Sequence, residues 1–328
     1  MSRTRVIIGI VVVVIVAIGY AMDRHARSEP ARLSAVDEPA TRSKPRPVPP
    51  APTSRDGAGR PWVALEPPSK LRPRLGAHAA CVVDEESGSV LYGRRSDEVR
   101  PVASMIKLLT ALTYLESGGD LNGEIEITPE DAQGAGKSIL WKGHRFRARD
   151  VLYAALISSE NRAARALARS TPYTEEEFIQ RMRDRAARMG CTTFQVVEPT
   201  GLSELNVASS TDVARLLINA VSNPTIARIL QTYRHEFRAI NKPRKLYRLT
   251  NSNRMLKSKY KVSGGKTGYI VEAGYCLANR IETPQGPIVT VVMGCRSNSS
   301  RFTETRNLIE WAQKYRARAH TFSQAGVT

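Results

Sequence analysis

From Ala77 onward the chain alternates between short β-rich apolar runs and longer stretches whose apolar residues recur at helical spacing. Ala80–Asp84 and Ser89–Tyr92 flank the polar turn Glu85-Glu86-Ser87-Gly88, which predicts a β-hairpin. Helical periodicity then begins near Ser104 and ends near Gly118-Gly119. A polar stretch to Arg149 carries short strand signals at Glu124–Thr128 and Ile139–Trp141. Helical patterns follow at Val151–Ile157, Arg162–Ala168, Glu175–Met189, Thr211–Val221 and Thr225–Leu230. Lys261–Ile270, Gly274–Ile281 and Ile288–Met293 read as strands, and Arg301–Tyr315 as a last helix with Leu308, Ile309 and Trp311 inward. This order lets the first and last β segments share one sheet, with a helical lobe beside it and a groove between.

Two segments precede that region. Met1–Arg5 carries two arginines and Val6–Met22 runs without a charge. At 1.5 Å per residue such a helix spans about 25 Å, at the border between a signal peptide and an anchor crossing a core of about 30 Å. Gly19-Tyr20-Ala21 offers a poor cleavage site, and either reading means export to the periplasm or the outer face of the cytoplasmic membrane. From Asp23 to about Leu75 lie eleven of the chain's nineteen prolines and few bulky apolar residues, so the stretch reads as a disordered tether. The expected divisions are 1–22, a linker at 23–75, a folded domain at 76–317 and a flexible tail at 318–328.

Composition changes this picture in two places. A formal charge of +18 invites a nucleic-acid reading, but aromatics are only 6% and the cations are spread along the chain. Attraction to an anionic envelope or an acidic substrate polymer fits better. Cys81, Cys191, Cys276 and Cys295 allow three disulfide connectivities, yet three of them stand in apolar strand contexts and read as buried hydrophobes. They lack the paired spacing of a zinc site, and the five histidines are scattered, so no metal or other cofactor is expected.

The chemistry concentrates in Pro101–Leu109. Ser104 and Lys107, at i and i+3 where a helix starts, bring an amine within reach of a hydroxyl: a nucleophile beside a base. The spacing alone is weak, because Ser258–Lys261 and Ser263–Lys266 repeat it. Ser159-Glu160-Asn161 and Lys266-Thr267-Gly268 follow in the order that a serine acyl-transfer site without histidine needs. Singly, Ser159 or Asn161 reads as a helix N-cap and Lys266-Thr267-Gly268 as a strand entering a turn.

Ser104-Met-Ile-Lys107, Ser158-Ser159-Glu160-Asn161-Arg162-Ala163-Ala164, Glu198-Pro-Thr-Gly-Leu202 and Gly265-Lys266-Thr267-Gly268-Tyr269 together resemble the motifs of the low-molecular-mass penicillin-binding proteins, the serine DD-peptidases. The Ser-Ser-Glu-Asn and Glu-Pro-Thr-Gly-Leu stretches look closest to the D-alanyl-D-alanine endopeptidase branch. The resemblance implies an α/β DD-peptidase/β-lactamase-like fold, an antiparallel sheet flanked by helices with the active site against a helical lobe. It implies Ser104 as nucleophile and Lys107 as base, made neutral by Lys266 and burial, with Ser159 as proton relay. Asn161, Lys266, Thr267, Gly268 and Tyr269 would bind substrate, and the N–H groups of Ser104 and Tyr269 would form the oxyanion hole. The implied partners are peptidoglycan stem peptides and, as covalent inhibitors, β-lactams. Arg162 is a candidate contact for a stem-peptide carboxylate. Cleavage of crosslinks is the leading reading; the alternatives are a carboxypeptidase removing terminal D-Ala, a β-lactamase using Glu198, and an inactive penicillin-binding scaffold.

Overall fold

The computed structural model describes residues 72–324. The charge-free segment Val6–Met22 and nearly all of the proline-rich stretch lie outside the described residues.

β1 (Ala79–Asp84) and β2 (Val90–Arg94) form the expected hairpin, and β9 (Lys261–Ile270), β10 (Gly274–Glu282) and β11 (Ile288–Cys295) complete an antiparallel sheet of order β2-β1-β11-β10-β9. The first and last strands do meet: Ala79 pairs with Met293 and Asp84 with Ile288. Because side chains alternate across a strand, Ala79, Cys81 and Val83 enter one core while Ala80 and Val82 enter another. That is why β1 and β11 are nearly continuous in apolar residues. The second core is capped by α8 (Asn298–Gln324), which buries Leu308, Ile309 and Trp311. This helix continues well past Tyr315, into the segment expected as a flexible tail. All four cysteines are free and buried.

The other face of the sheet carries the helical region. A four-residue 3-10 turn, Ala103–Ile106, leads into α1 (Lys107–Glu116), whose residues Lys107–Tyr114 are all buried. α3 (Ala148–Ile157), α4 (Asn161–Arg169), α5 (Glu175–Arg188), α6 (Ser210–Ser222) and α7 (Pro224–Gln231) meet around one core, and the short α2 (Pro129–Ala132) is tied to α4 by the Asp131–Arg169 pair at 2.8 Å. Thr174 caps α5, its hydroxyl accepting from Glu177 N while Glu177 returns a bond to Thr174 N.

Three small strand pairs complete the chain. β3 (Arg100–Pro101) pairs with β6 (Val207–Ala208), and β4 (Glu124–Glu126) with β5 (Arg145–Arg147). The strand expected at Ile139–Trp141 is instead loop; the partner of β4 is Arg145-Phe146-Arg147, where one buried phenylalanine stands between two exposed arginines. A hairpin of β7 (Arg234–Ala239) and β8 (Lys242–Thr250) was not anticipated. Its inward residues Phe237, Ala239, Tyr247 and Leu249 do alternate, but arginines and lysines at the positions between mask the apolar run.

Candidate active site

Three walls converge on one cleft of about 250 Å³, lined by Ser104, Ser159, Asn161, Gly201, Leu202, Thr267, Gly268, Tyr269 and Arg301 among others. The first wall is the 3-10 turn, where Ala103 takes a left-handed φ of 48° to turn the chain into the helix. The α-helix proper starts at Lys107, one turn later than the spacing predicts, and the tighter turn sets Ser104 Oγ 2.9 Å from Lys107 Nζ. The second wall is the link between α3 and α4, where Ser159 also takes a left-handed φ, 63°. Such backbone in non-glycine residues costs about 1–3 kcal/mol each and persists where the surroundings over-determine it. Neither Ser159 nor Asn161 caps the helix; Glu160 holds the N-cap position and makes no side-chain cap bond. The third wall is β9, the end strand of the sheet, an edge facing the cleft.

The walls are joined by two buried amines. Lys107 Nζ reaches Ser104 Oγ at 2.9 Å, Asn161 Oδ1 at 2.7 Å and the Thr200 carbonyl at 2.5 Å. Lys266 Nζ donates to Ser159 Oγ at 2.8 Å and to the Thr267 carbonyl at 2.9 Å. Thr267 Oγ1 is within 2.6 Å of Ser252 Oγ. Two glycines permit the fit. A Cβ on Gly201 would stand 2.0 Å from the Ala103 carbonyl oxygen, and one on Gly268 would stand 3.1 Å from both the Ala103 Cβ and the Val102 oxygen.

Serine, lysine and an edge strand brought together in this way have known relatives. The family described as D-alanyl-D-alanine carboxypeptidase matches residues 66–297. The chain belongs to that family. It is 33% identical over 258 residues to a D-alanyl-D-alanine endopeptidase of Pseudomonas aeruginosa, covering 76% of this chain and 83% of the relative. A D-alanyl-D-alanine endopeptidase of Escherichia coli K12 is 32% identical, with 74% and 79% covered. Among solved structures, a D-alanyl-D-alanine carboxypeptidase of Mycobacterium tuberculosis H37Rv superposes with a TM-score of 0.67 at 26% identity, covering 74% of this chain and 92% of that one. The fold is therefore that of the serine DD-peptidases.

Within this D-alanyl-D-alanine carboxypeptidase family member, burial pushes the Lys107 amine down to about 7, the carboxylates of Glu198 and Glu160 pull it up, and Arg165 lowers it further. Of the two causes expected from the sequence, burial and the charge of Lys266, burial is the largest here, and the neighbouring cation that lowers the Lys107 amine is Arg165. Lys266 is held well below the usual lysine range, first by burial and then by the charges of Lys107 and Arg301. A neutral Lys107 has two N–H groups and one lone pair. With Asn161 Oδ1 and the Thr200 carbonyl accepting the N–H groups, the lone pair is left for the Ser104 hydroxyl proton.

Glu198 does not line the cleft; it borders a separate cavity with Arg165 and Arg169. Its carboxylate accepts from the N–H groups of Thr200 and Gly201, at 2.7 and 2.6 Å, and from Asn206 Nδ2 at 2.5 Å. It thus shapes the loop whose Thr200 carbonyl holds Lys107. Arg162 is likewise outside the cleft, its Nη1 donating to the Leu140 carbonyl at 2.7 Å. Two residues were missed in the sequence. Arg301, nearly buried on α8, donates to the carbonyls of Gly268 and Cys276 behind β9 and lines the cleft, a position that only the folded chain reveals. The Thr200 carbonyl lay inside the Glu-Pro-Thr-Gly-Leu stretch, but a backbone acceptor leaves no side-chain signal. Among the described residues no group of three or more His, Cys, Asp or Glu is placed to hold a metal ion.

Proposed function

We propose that the chain is a serine DD-peptidase that cuts D-alanyl crosslinks between peptidoglycan stem peptides through an acyl-enzyme. The observation that carries this is Lys107 Nζ held between Ser104 Oγ and Asn161 Oδ1, opposite the Lys266–Ser159 pair. In this reading Lys107 takes the Ser104 proton as Oγ bonds to the D-Ala carbonyl carbon. The carbonyl oxygen's charge is met by the N–H groups of Ser104 and Tyr269. As the C–N bond breaks, Ser159, beside Lys266, passes a proton to the leaving amine. Water then releases the acyl group from Ser104. Asn161, Thr267, Gly268 and the half-exposed Tyr269 hold the peptide along the β9 edge.

An endopeptidase differs from a carboxypeptidase in its leaving group, a neighbouring stem peptide in place of one D-Ala. The relatives named endopeptidase, and the Ser159-Glu160-Asn161-Arg162 and Glu198-Pro-Thr-Gly-Leu202 stretches, support the first. Substrate and family place the enzyme's work in the cell envelope; export through Val6–Met22, as a cleaved signal or a retained anchor, is part of the proposal. β-Lactams would acylate Ser104 as stem-peptide mimics.

The test is incubation of the purified chain with crosslinked muropeptide dimers and with pentapeptide monomers, products being read by mass. Conversion of dimers to monomers, with little release of terminal D-Ala, is expected. Release of D-Ala from monomers while dimers persist would replace the endopeptidase reading with the carboxypeptidase one.

A further inference from the structure

The β7–β8 hairpin has a face that the catalytic site does not use. Arg234, Arg238, Lys242, Arg244 and Arg248 are all exposed, against a single carboxylate on the two strands, Glu236, which pairs with Arg248 at 2.9 Å. Arg238 also donates to the Pro243 carbonyl at 3.0 Å, but like charges gathered on one strand pair repel, and the hairpin's apolar support comes from its inward Phe237, Tyr247 and Leu249. Beside this face stands Trp141, 56% exposed, with Lys245 Nζ 4.5 Å from its ring centroid.

Both features adjoin the cleft. The loop carrying Trp141 leans on the Ser159–Asn161 turn: Ser138 Oγ donates to the Glu160 carboxylate, and Arg162 binds the Leu140 carbonyl. The base of the hairpin is tied in by Ser252, which donates to the Ile157 carbonyl and bonds with Thr267 Oγ1. Hairpin and loop are also joined to each other, through Asn241 Nδ2 to the Gly143 carbonyl at 2.8 Å and Tyr247 Oη to His144 Nδ1 at 2.7 Å. Hairpin, loop and cleft wall are thus joined by these bonds, the exposed indole lying by Lys245 and the ring of His144.

We propose that this surface, the outward face of β7–β8 with Trp141, is a docking site for the peptidoglycan polymer outside the scissile bond. The inference rests on the reading of the cleft as a peptidoglycan site. The carboxylates of stem peptides meet the cations, and a sugar ring lays its C–H face on the indole. An anionic lipid surface fits less well, because a membrane-seated segment buries a whole apolar face, whereas the hairpin's Phe237, Tyr247 and Leu249 are turned into the protein and Trp141 stands exposed beside a cation. Here the hairpin tip holds half-buried Ile240 and Asn241. Docking of this kind raises the local concentration of crosslinks at Ser104 without touching the reacting atoms.

The experiment compares the full chain with Trp141→Ala/Lys242→Glu/Arg244→Glu, and with a milder Lys242→Gln/Arg244→Gln variant. Co-sedimentation is measured with insoluble peptidoglycan sacculi and with phosphatidylglycerol vesicles, alongside labelling by fluorescent penicillin and cleavage of soluble dimers. Parent binding to sacculi should weaken with salt, fall about tenfold in the triple variant and less in the milder one. Penicillin labelling and dimer cleavage should stay at parent level, which also shows that the variants fold. Equal binding of parent and variants to sacculi overturns the proposal. So does a loss confined to vesicles, which would make the face a lipid contact. Failure of the parent itself to cleave dimers bears on the proposed reaction alone, since sacculus binding is read independently.

Discussion

At the scale of residues the account turns on Lys107, whose amine is driven towards neutrality mainly by burial. In the proposed reaction the neutral form is the base, and its fraction grows as pH rises through about 7, where burial and the neighbouring charges set Lys107. Acylation by a penicillin should climb through that region and level off above it, measured as the second-order rate against pH. Lys107→Arg keeps the cation but holds its proton throughout, and should cost on the order of a thousandfold or more in that rate. Glu198 offers a finer test. Its carboxylate raises the Lys107 amine, so Glu198→Gln should shift the rising limb to lower pH while leaving the acyl-enzyme lifetime near that of the parent. A limb that moves upward, or rapid cephalosporin hydrolysis by the parent that vanishes in the variant, would contradict this account of Glu198. Ser104, Lys107, Ser159, Asn161 and Lys266 were legible in the sequence because side chains of fixed chemistry recur at fixed spacing. The Thr200 carbonyl and Arg301 were not: one is backbone, and the other is brought to the cleft from a distant helix.

At the scale of elements, the strands of the main sheet and the long helices announce themselves, since each buries a periodic apolar face. Short elements do not. β5 has one apolar residue, Phe146, and Ile139–Trp141 imitated a strand although Ile139 and Trp141 are exposed. The β7–β8 hairpin was hidden by its cations, the same residues that make its outer face a candidate docking surface. The loop from Glu198 to Asn206 is an element of its own, organised by one carboxylate that accepts from three backbone N–H groups and one amide. Replacing Glu198 by glutamine leaves at least one donor facing a donor, so about 1–3 kcal/mol of stability should be lost, read from denaturant unfolding. No change in the unfolding midpoint would mean that these bonds do not hold the loop.

At the scale of the whole molecule, a sheet buried on both faces lets a rigid edge strand face two separate turns that carry strain, one at Ala103 and one at Ser159. The last helix supports that edge from behind, through Leu308 and Ile309 in the core and Arg301 beneath Gly268. Leu308→Ala should therefore cost about 2–5 kcal/mol of stability, checked by thermal or chemical unfolding, while the acylation rate of the folded fraction stays near the parent's. A large fall in that rate at unchanged stability would show that the helix acts on the cleft directly. The central claim, that Ser104 is the nucleophile of an acyl-enzyme, is tested most directly by labelling the chain with a fluorescent penicillin and mapping the modified peptide by mass. The account predicts a single adduct on Ser104, absent in Ser104→Ala; an adduct on Ser159 or Ser263, or labelling that survives Ser104→Ala, would contradict it.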